Sequence, residues 1–238
     1  MKRERIQPAE PFWQPGRMNV GRRRALLGFS AAFMTAAGMS RAWAQTPGRC
    51  VLTAEAGEGP FYVDPHLIRS DITSGKPGAP LELAIRVVRA GDCATLAGAR
   101  VDVWHADATG LYSGYAQQSG VGVSTDAAVG QQYLRGTQFT DRDGHVRFRT
   151  VFPSWYSGRT PHVHFKIFLG GNEVVASQIF FPDEINQEVF TTWEPYRAYA
   201  SKRTVFNHND RIRQGVYSDV SRGGRSYSAT ALLVVKSG

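Results

Sequence analysis

The chain has 238 residues, 42% of them hydrophobic and 11% aromatic, with 25 Gly, 12 Pro and 2 Cys. This content suits one medium-sized domain and excludes a disordered, collagen-like or disulfide-dense chain. The net charge of +8 invites a nucleic-acid partner, but eight of the 28 Lys and Arg and two of the 20 acids fall within residues 1–44, leaving 20 basic residues against 18 acidic ones in the rest. A remainder of +2 with no basic, aromatic-interleaved stripe speaks against nucleic acid.

Residues 1–44 read as an export leader. A basic region runs through Arg24, an apolar and small-residue stretch covers 25–38, and Ala42-Trp43-Ala44 forms an A-x-A cleavage site before Gln45. The apolar stretch is too short for a mature spanning helix, so cleavage leaves no membrane anchor. Arg23-Arg24-Ala25-Leu26-Leu27 resembles the twin-arginine signal, which makes the twin-arginine (Tat) translocase the expected partner during export to the periplasm or beyond. In such an oxidising compartment Cys50 and Cys93 are expected to pair in the mature domain, 45–238, rather than to supply a thiol nucleophile.

Past the leader, 81–89 (LELAIRVVR) and 100–104 alternate apolar and polar residues, the period of strands with one buried face. Further strands are expected at 138–140, 145–152, 162–169, 174–181 and 231–236, separated by Gly, Pro, Asp or Asn clusters. Asp141-Arg142-Asp143-Gly144 opens like a calcium loop, but the positions that should hold Gly and Glu are Val146 and Phe152, so it reads as a hairpin turn. A short helix is expected within 183–200, interrupted by Pro195, and 207–228 reads as a loop. Short strands without crossover helices predict an all-β fold, an antiparallel β-sandwich with long loops and at most one or two short helices.

The chemistry concentrates between Trp155 and Phe168. On a strand, His162 and His164 point to the same side and can share a metal while Val163 packs on the opposite face. A bare His-x-His pair is as readily a packed or solvated pair. The metal reading draws support from its company, Tyr156 six residues upstream and the segment 104–115 (WHADATGLYSGY) at the end of another strand.

Together these residues resemble the intradiol ring-cleavage dioxygenases, the family of protocatechuate and catechol dioxygenases, and within it the exported single-domain branch. Glu58-Gly59-Pro60-Phe61-Tyr62 is similar to the family's Gly-Pro-aromatic-Tyr element. Residues 101–112 (VDVWHADATGLY) and 152–156 (FPSWY) resemble the segments carrying its two ligand tyrosines. Arg159-Thr160-Pro161-His162-Val163-His164 matches its Arg-x-x-His-x-His signature, and Gln178 falls where the family has an active-site Gln.

The resemblance implies one non-haem Fe(III) held by Tyr112, Tyr156, His162 and His164, and cleavage of a catechol between its hydroxyl-bearing carbons, with both atoms of O2 entering a cis,cis-muconate-type product. It implies Tyr156 and His162 as axial ligands, Tyr156 being displaced by substrate, with Tyr112 and His164 equatorial. Arg159 would stabilise negative charge on the ring, Gln178 would hold Arg159 and the substrate, and Tyr62 would form a pocket wall. Two phenolates with two imidazoles are a hard donor set that favours trivalent iron over the Cys- and His-rich sets of zinc.

Tyr115 is the alternative to Tyr112. A transthyretin-like or carbohydrate-binding sandwich without catalytic iron is the competing reading, and a divalent-metal hydrolase would need a carboxylate for which Asp107 is the one nominee. The dimerising N-terminal helices of catechol-cleaving members have no counterpart in 45–57, and an oligomer is compatible with the sequence.

Overall fold

The computed structural model describes residues 50–64, 66–118, 120 and 124–236, so the expected leader lies outside the described residues. These fold into β1 (Pro80–Arg89), β2 (Arg100–His105), β3 (Arg135–Phe139), β4 (His145–Val151), β5 (His162–Leu169), β6 (Asn172–Phe180), α1 (Asp183–Thr192), β7 (Val216–Tyr217), β8 (Asp219–Gly223) and β9 (Ser226–Val235). Two 3₁₀ helices, Thr125–Ala128 and Tyr196–Lys202, complete the elements.

The strands form two sheets, one ordered β4-β1-β9-β8 and the other β3-β2-β5-β6-β7. Their inner faces meet in one core, where Leu81, Leu83, Ile85 and Val87 of β1 and Phe148 of β4 share a cluster with Val101 and Val103 of β2 and Val163, Phe165 and Ile167 of β5. Each such fully buried side chain contributes about 1.5–3 kcal/mol relative to exposure. The alternation that sends Val163, Phe165 and Ile167 inward turns His162, His164 and Lys166 to the outer face of β5. That face is covered too, and all three side chains are buried.

The two-sheet sandwich agrees with the expectation, whereas the purely antiparallel pairing does not. β1 runs parallel to β9, and β6 runs parallel to β7. Period-two alternation is the same for either direction, and the connection from β6 to β7 contains α1, the helical crossover that a parallel pair requires. The segment 207–228, expected as a loop, contains β7, β8 and the start of β9. β8 is a mostly exposed edge strand (DVSRG) without an apolar face, so it left no alternation to detect. The expected helix ends as an α-helix at Thr192, and Pro195 then opens the separate 3₁₀ turn. β3 begins at Arg135 rather than 138.

The turn at 141–144 is built as its residues suggest. Asp141 Oδ1 accepts from the backbone N–H groups of Asp143 (2.9 Å) and His145 (2.8 Å), and Gly144 sits at φ +77°, where a Cβ would come 2.6 Å from the Val87 carbonyl. Cys50 and Cys93 are disulfide-bonded with Cα atoms 5.6 Å apart, inside the usual span of such bridges.

His105 links the sheets at the end of β2. Its Nδ1–H donates to the Ala106 carbonyl (2.8 Å), leaving Nε2 to accept from the Thr150 hydroxyl on β4 (2.7 Å). Burial, only partly offset by that carbonyl and by Asp107, pushes its pKa down from 6.5 to about 4. The unfolded chain therefore takes up a proton below about pH 6.5 that the folded protein refuses until about pH 4, so stability is full above that window and falls as pH drops through it. The expected contribution is about 3 kcal/mol. Urea midpoints measured from pH 7 to pH 4 should fall less steeply for His105→Gln than for the parent protein.

Candidate metal centre

The outer face of the larger sheet places its residues by register. Trp104 of β2 lies opposite His164 of β5, which lies opposite Gln178 of β6. The Trp104 indole stacks on the His164 imidazole with centroids 5.0 Å apart and planes at 11°. His162 lies two residues along the same strand face, and its Nδ1–H donates to the Thr160 carbonyl (2.7 Å). That bond fixes the tautomer, so the lone pair of His162 Nε2 points into the site.

Two loops deliver the tyrosines. After β2, Asp107 Oδ1 accepts from the N–H groups of Thr109 (2.8 Å) and Leu111 (3.2 Å), while Oδ2 pairs with Lys76 (2.6 Å). The next residue, Tyr112, is clasped by the Gln118 amide, which accepts from Tyr112 N (2.7 Å) and donates to Tyr112 O (2.8 Å). Before β5, Tyr156 and Arg159 pair across a tight turn in which Gly158 takes φ +79°, bringing the two side chains together.

Four atoms converge as a result. His162 Nε2 lies 3.0 Å from His164 Nε2, 3.2 Å from Tyr112 Oη and 3.3 Å from Tyr156 Oη, and His164 Nε2 lies 3.1 Å from Tyr112 Oη. Burial drives both imidazoles well below their ordinary pKa, and the nearby Arg159 guanidinium adds to this. Burial likewise raises both phenols, although at Tyr156 Arg159 opposes the effect. Two imidazoles and two phenols crowd one buried point, and His164 Nδ1 is buried there without a hydrogen-bond partner. A multivalent cation there would receive both imidazole lone pairs and hold the phenols ionised. The donor set fits such an ion, and it fits ferric iron better than zinc.

The surroundings are fixed just as firmly. Arg159 Nε donates to both carboxylate oxygens of Asp210 (3.1 Å each), its Nη1 reaches Tyr156 Oη at 3.4 Å, and its Nη2 donates to Gln178 Oε1. Asp210 also accepts from the N–H groups of Thr160 (2.8 Å) and Ile212 (2.7 Å). Gly59 lies against His164, where a Cβ would come 3.1 Å from Cε1. Phe61 stacks on Tyr112 with centroids 4.6 Å apart, and its carbonyl accepts from buried Arg135 (2.7 Å). A cavity of about 290 Å³ opens beside the donors, lined among others by Phe61, Tyr156, Arg159, Gln178, Arg211 and Ile212.

The structure thus brings Tyr112, Tyr156, His162, His164, Arg159 and Gln178 together. Tyr62 is set apart: its hydroxyl donates to Asp102 (2.9 Å), Lys166 lies over its ring, and Phe61 takes the place on the cavity wall expected for it. Tyr115 points elsewhere, donating to the Tyr62 carbonyl (2.7 Å). Asp107 is committed to its loop, and among the described residues no three His, Cys, Asp or Glu side chains assemble as a metal site. Asp210, Gln118 and Arg135 went unnoticed in the sequence. Gln118 alone had a local signal, lying six residues from Tyr112, whereas Asp210 and Arg159 are 51 apart.

Fold and site together define a β-sandwich protein with a buried tyrosine–histidine donor cluster. The dioxygenase family profile matches residues 58–192. Chlorocatechol 1,2-dioxygenase of Pseudomonas putida is 32% identical over 154 residues, 54% of each chain. The chain spans about half the length of the curated relatives it matches. An intradiol ring-cleavage dioxygenase from Tetranychus urticae superimposes with a TM-score of 0.68 at 29% identity, over 79% of this chain and 95% of its own. The dioxygenase domain of a carbohydrate-binding fusion protein from Streptomyces sp. SirexAA-E gives 0.58 at 26% identity, over 79% and 100%. The chain belongs to the intradiol ring-cleavage dioxygenase family, whose members use non-haem ferric iron.

Asp210 neutralises Arg159 where both are buried, at side-chain exposures of 0% and 4%. Removing one partner strands the other's charge, so Asp210→Ala is expected to lose about 3–5 kcal/mol of unfolding free energy. Combined with Arg159→Met it should lose less than the sum of the single variants, as a urea double-mutant cycle would show.

Proposed function

We propose that this chain is a non-haem ferric dioxygenase that opens catechol-type rings between their two hydroxyl-bearing carbons. The reading rests on one observation, the convergence of Tyr112, Tyr156, His162 and His164 within 3.0–3.3 Å in a buried site. Ferric iron held by these four groups would bind both oxygens of a catechol and draw electron density from it, which opens the ring carbon to O2.

The chain's own residues supply the rest. Tyr156 and His164 line the cavity whereas Tyr112 and His162 do not, so substrate arrives on the Tyr156 side. Tyr156 would be one of the groups holding the iron, and its phenolate oxygen would be placed to take a proton from an incoming hydroxyl. Arg159, aimed by Asp210 and Gln178, presents a fixed positive charge for the substrate ring. Phe61 and Ile212 give that charge an apolar frame in which it is weakly screened.

The iron-loaded protein is expected to show a tyrosinate-to-iron charge-transfer band that moves to longer wavelength when catechol is added without oxygen. Admitting oxygen should bleach it as muconate forms. Tyr156→Phe and His162→Ala should each lose more activity than the roughly 10–100-fold that follows when a group merely orienting a ligand is removed. Tyr115→Phe should keep its iron, since its hydroxyl serves the backbone at Tyr62. A colourless, catechol-insensitive protein after iron loading would overturn the reading.

We infer further that residues 1–44 export the protein by the twin-arginine route. The Arg23-Arg24 pair and the Cys50–Cys93 disulfide, a bond that oxidising compartments favour, support this. Replacing both arginines with lysine should leave the uncleaved protein in the cytoplasm, as cell fractionation and immunoblotting would show.

A further inference from the structure

The cavity beside the donors is charged in a way the ring-opening chemistry does not use. Among the described residues no Asp or Glu lines it, whereas two arginines do, Arg159 and Arg211. The charge of Arg159 is matched by Asp210. Both oxygens of Asp210 are engaged, Oδ1 by Arg159 Nε and Ile212 N, and Oδ2 by Arg159 Nε and Thr160 N. Arg211 itself has no ion pair or hydrogen bond among the described residues.

Its backbone is nonetheless held on both sides. The Asp210 carboxylate is anchored to Thr160 at the approach to β5, and the bond from Ile212 N–H back to Asp210 Oδ1 closes a turn around Arg211. Arg211, an exposed residue on this turn, thus lines the cavity with no ion-pair partner among the described residues. At about 290 Å³ the cavity lies near the lower end of ligand pockets, ~300–1,000 Å³, and suits a single ring with a short substituent.

We propose that Arg211 is a specificity-determining residue that selects catechols bearing a carboxylate on the ring over neutral catechols. The inference rests on the dioxygenase reading for the ring and the diol, and on Arg211 alone for the acid. A guanidinium offers a carboxylate paired, charge-assisted hydrogen bonds, and the neutral ester of the same acid forfeits the charge while keeping nearly the same shape.

The test compares 3,4-dihydroxybenzoate with its methyl ester, so that the ratio within each protein cancels general damage. Both kcat/KM in the iron-loaded enzyme and Kd by calorimetry under anaerobic conditions are measured. The parent protein is expected to favour the acid, and Arg211→Gln should cut the acid-to-ester ratio roughly tenfold to a hundredfold in both readouts. Arg211→Lys should retain part of it. Raising salt from about 0.01 M to about 0.1 M, which shortens the screening length from roughly 30 to 10 Å, should shrink the parent's preference.

An unchanged ratio in Arg211→Gln overturns the proposal, and so does an equal loss in Arg213→Gln, whose guanidinium bonds the His208 carbonyl and does not line the cavity. If the parent opens catechol yet shows no preference for the acid, the proposal fails and the dioxygenase reading stands. If it opens no catechol at all, the dioxygenase reading fails, and the Kd ratio still decides the role of Arg211.

Discussion

Buried nitrogen and oxygen donors that converge on one point form a ready seat for positive charge. At the centre of this structure Thr160 takes the one N–H that His162 has to give, so its Nε2 faces His164 and two phenols as an acceptor. Burial keeps the imidazoles neutral and discourages the phenols from ionising, and Arg159 and Arg135 offer charge from the side. The surrounding architecture prevents this arrangement from relaxing. Trp104 stacks behind His164, Phe61 lies over Tyr112, and Gln118 holds both backbone groups of Tyr112.

The sandwich makes this arrangement affordable by giving the two faces of β5 different work. Val163, Phe165 and Ile167 take part in a core that holds the sheets together, so His162 and His164 on the other face are free to serve a site. Covering the outer face then becomes the task of segments outside the sheets. The stretch from Glu58 to Asp64 is fastened there by Lys166 to Glu58, Tyr62 to Asp102 and Arg100 to Asp64, each bond joining the segment to a strand residue on that face.

What the sequence revealed and what it withheld divide along the same line. His162 and His164 were legible because two residues on one strand have a fixed spatial relation, and the strands themselves because alternation reports a buried face. Pairing direction leaves no such trace, which is why β1 and β9 were not seen as parallel neighbours. β8 escaped because an exposed edge needs no apolar face. Tyr62 turns to Asp102 and Phe61 to the cavity, since adjacent residues of an irregular segment point in unrelated directions. Asp210 sits in a stretch without period, and its partner is brought to it by the fold alone.

The donors stand on, or are tied closely to, the register of β2 and β5, where a one-residue slip would exchange the site for the core. Besides Tyr156, Arg159, His164 and Gln178, the cavity is walled by residues 59–61, 117–118, 157 and 211–212, which belong to no strand. Loops of this kind can change length and composition at little cost to the sheets beneath them. The chemistry and the choice of substrate therefore answer to different parts of the chain. Asp210 is the point where they meet: the same carboxylate aims Arg159 at the donors and closes the turn that carries Arg211.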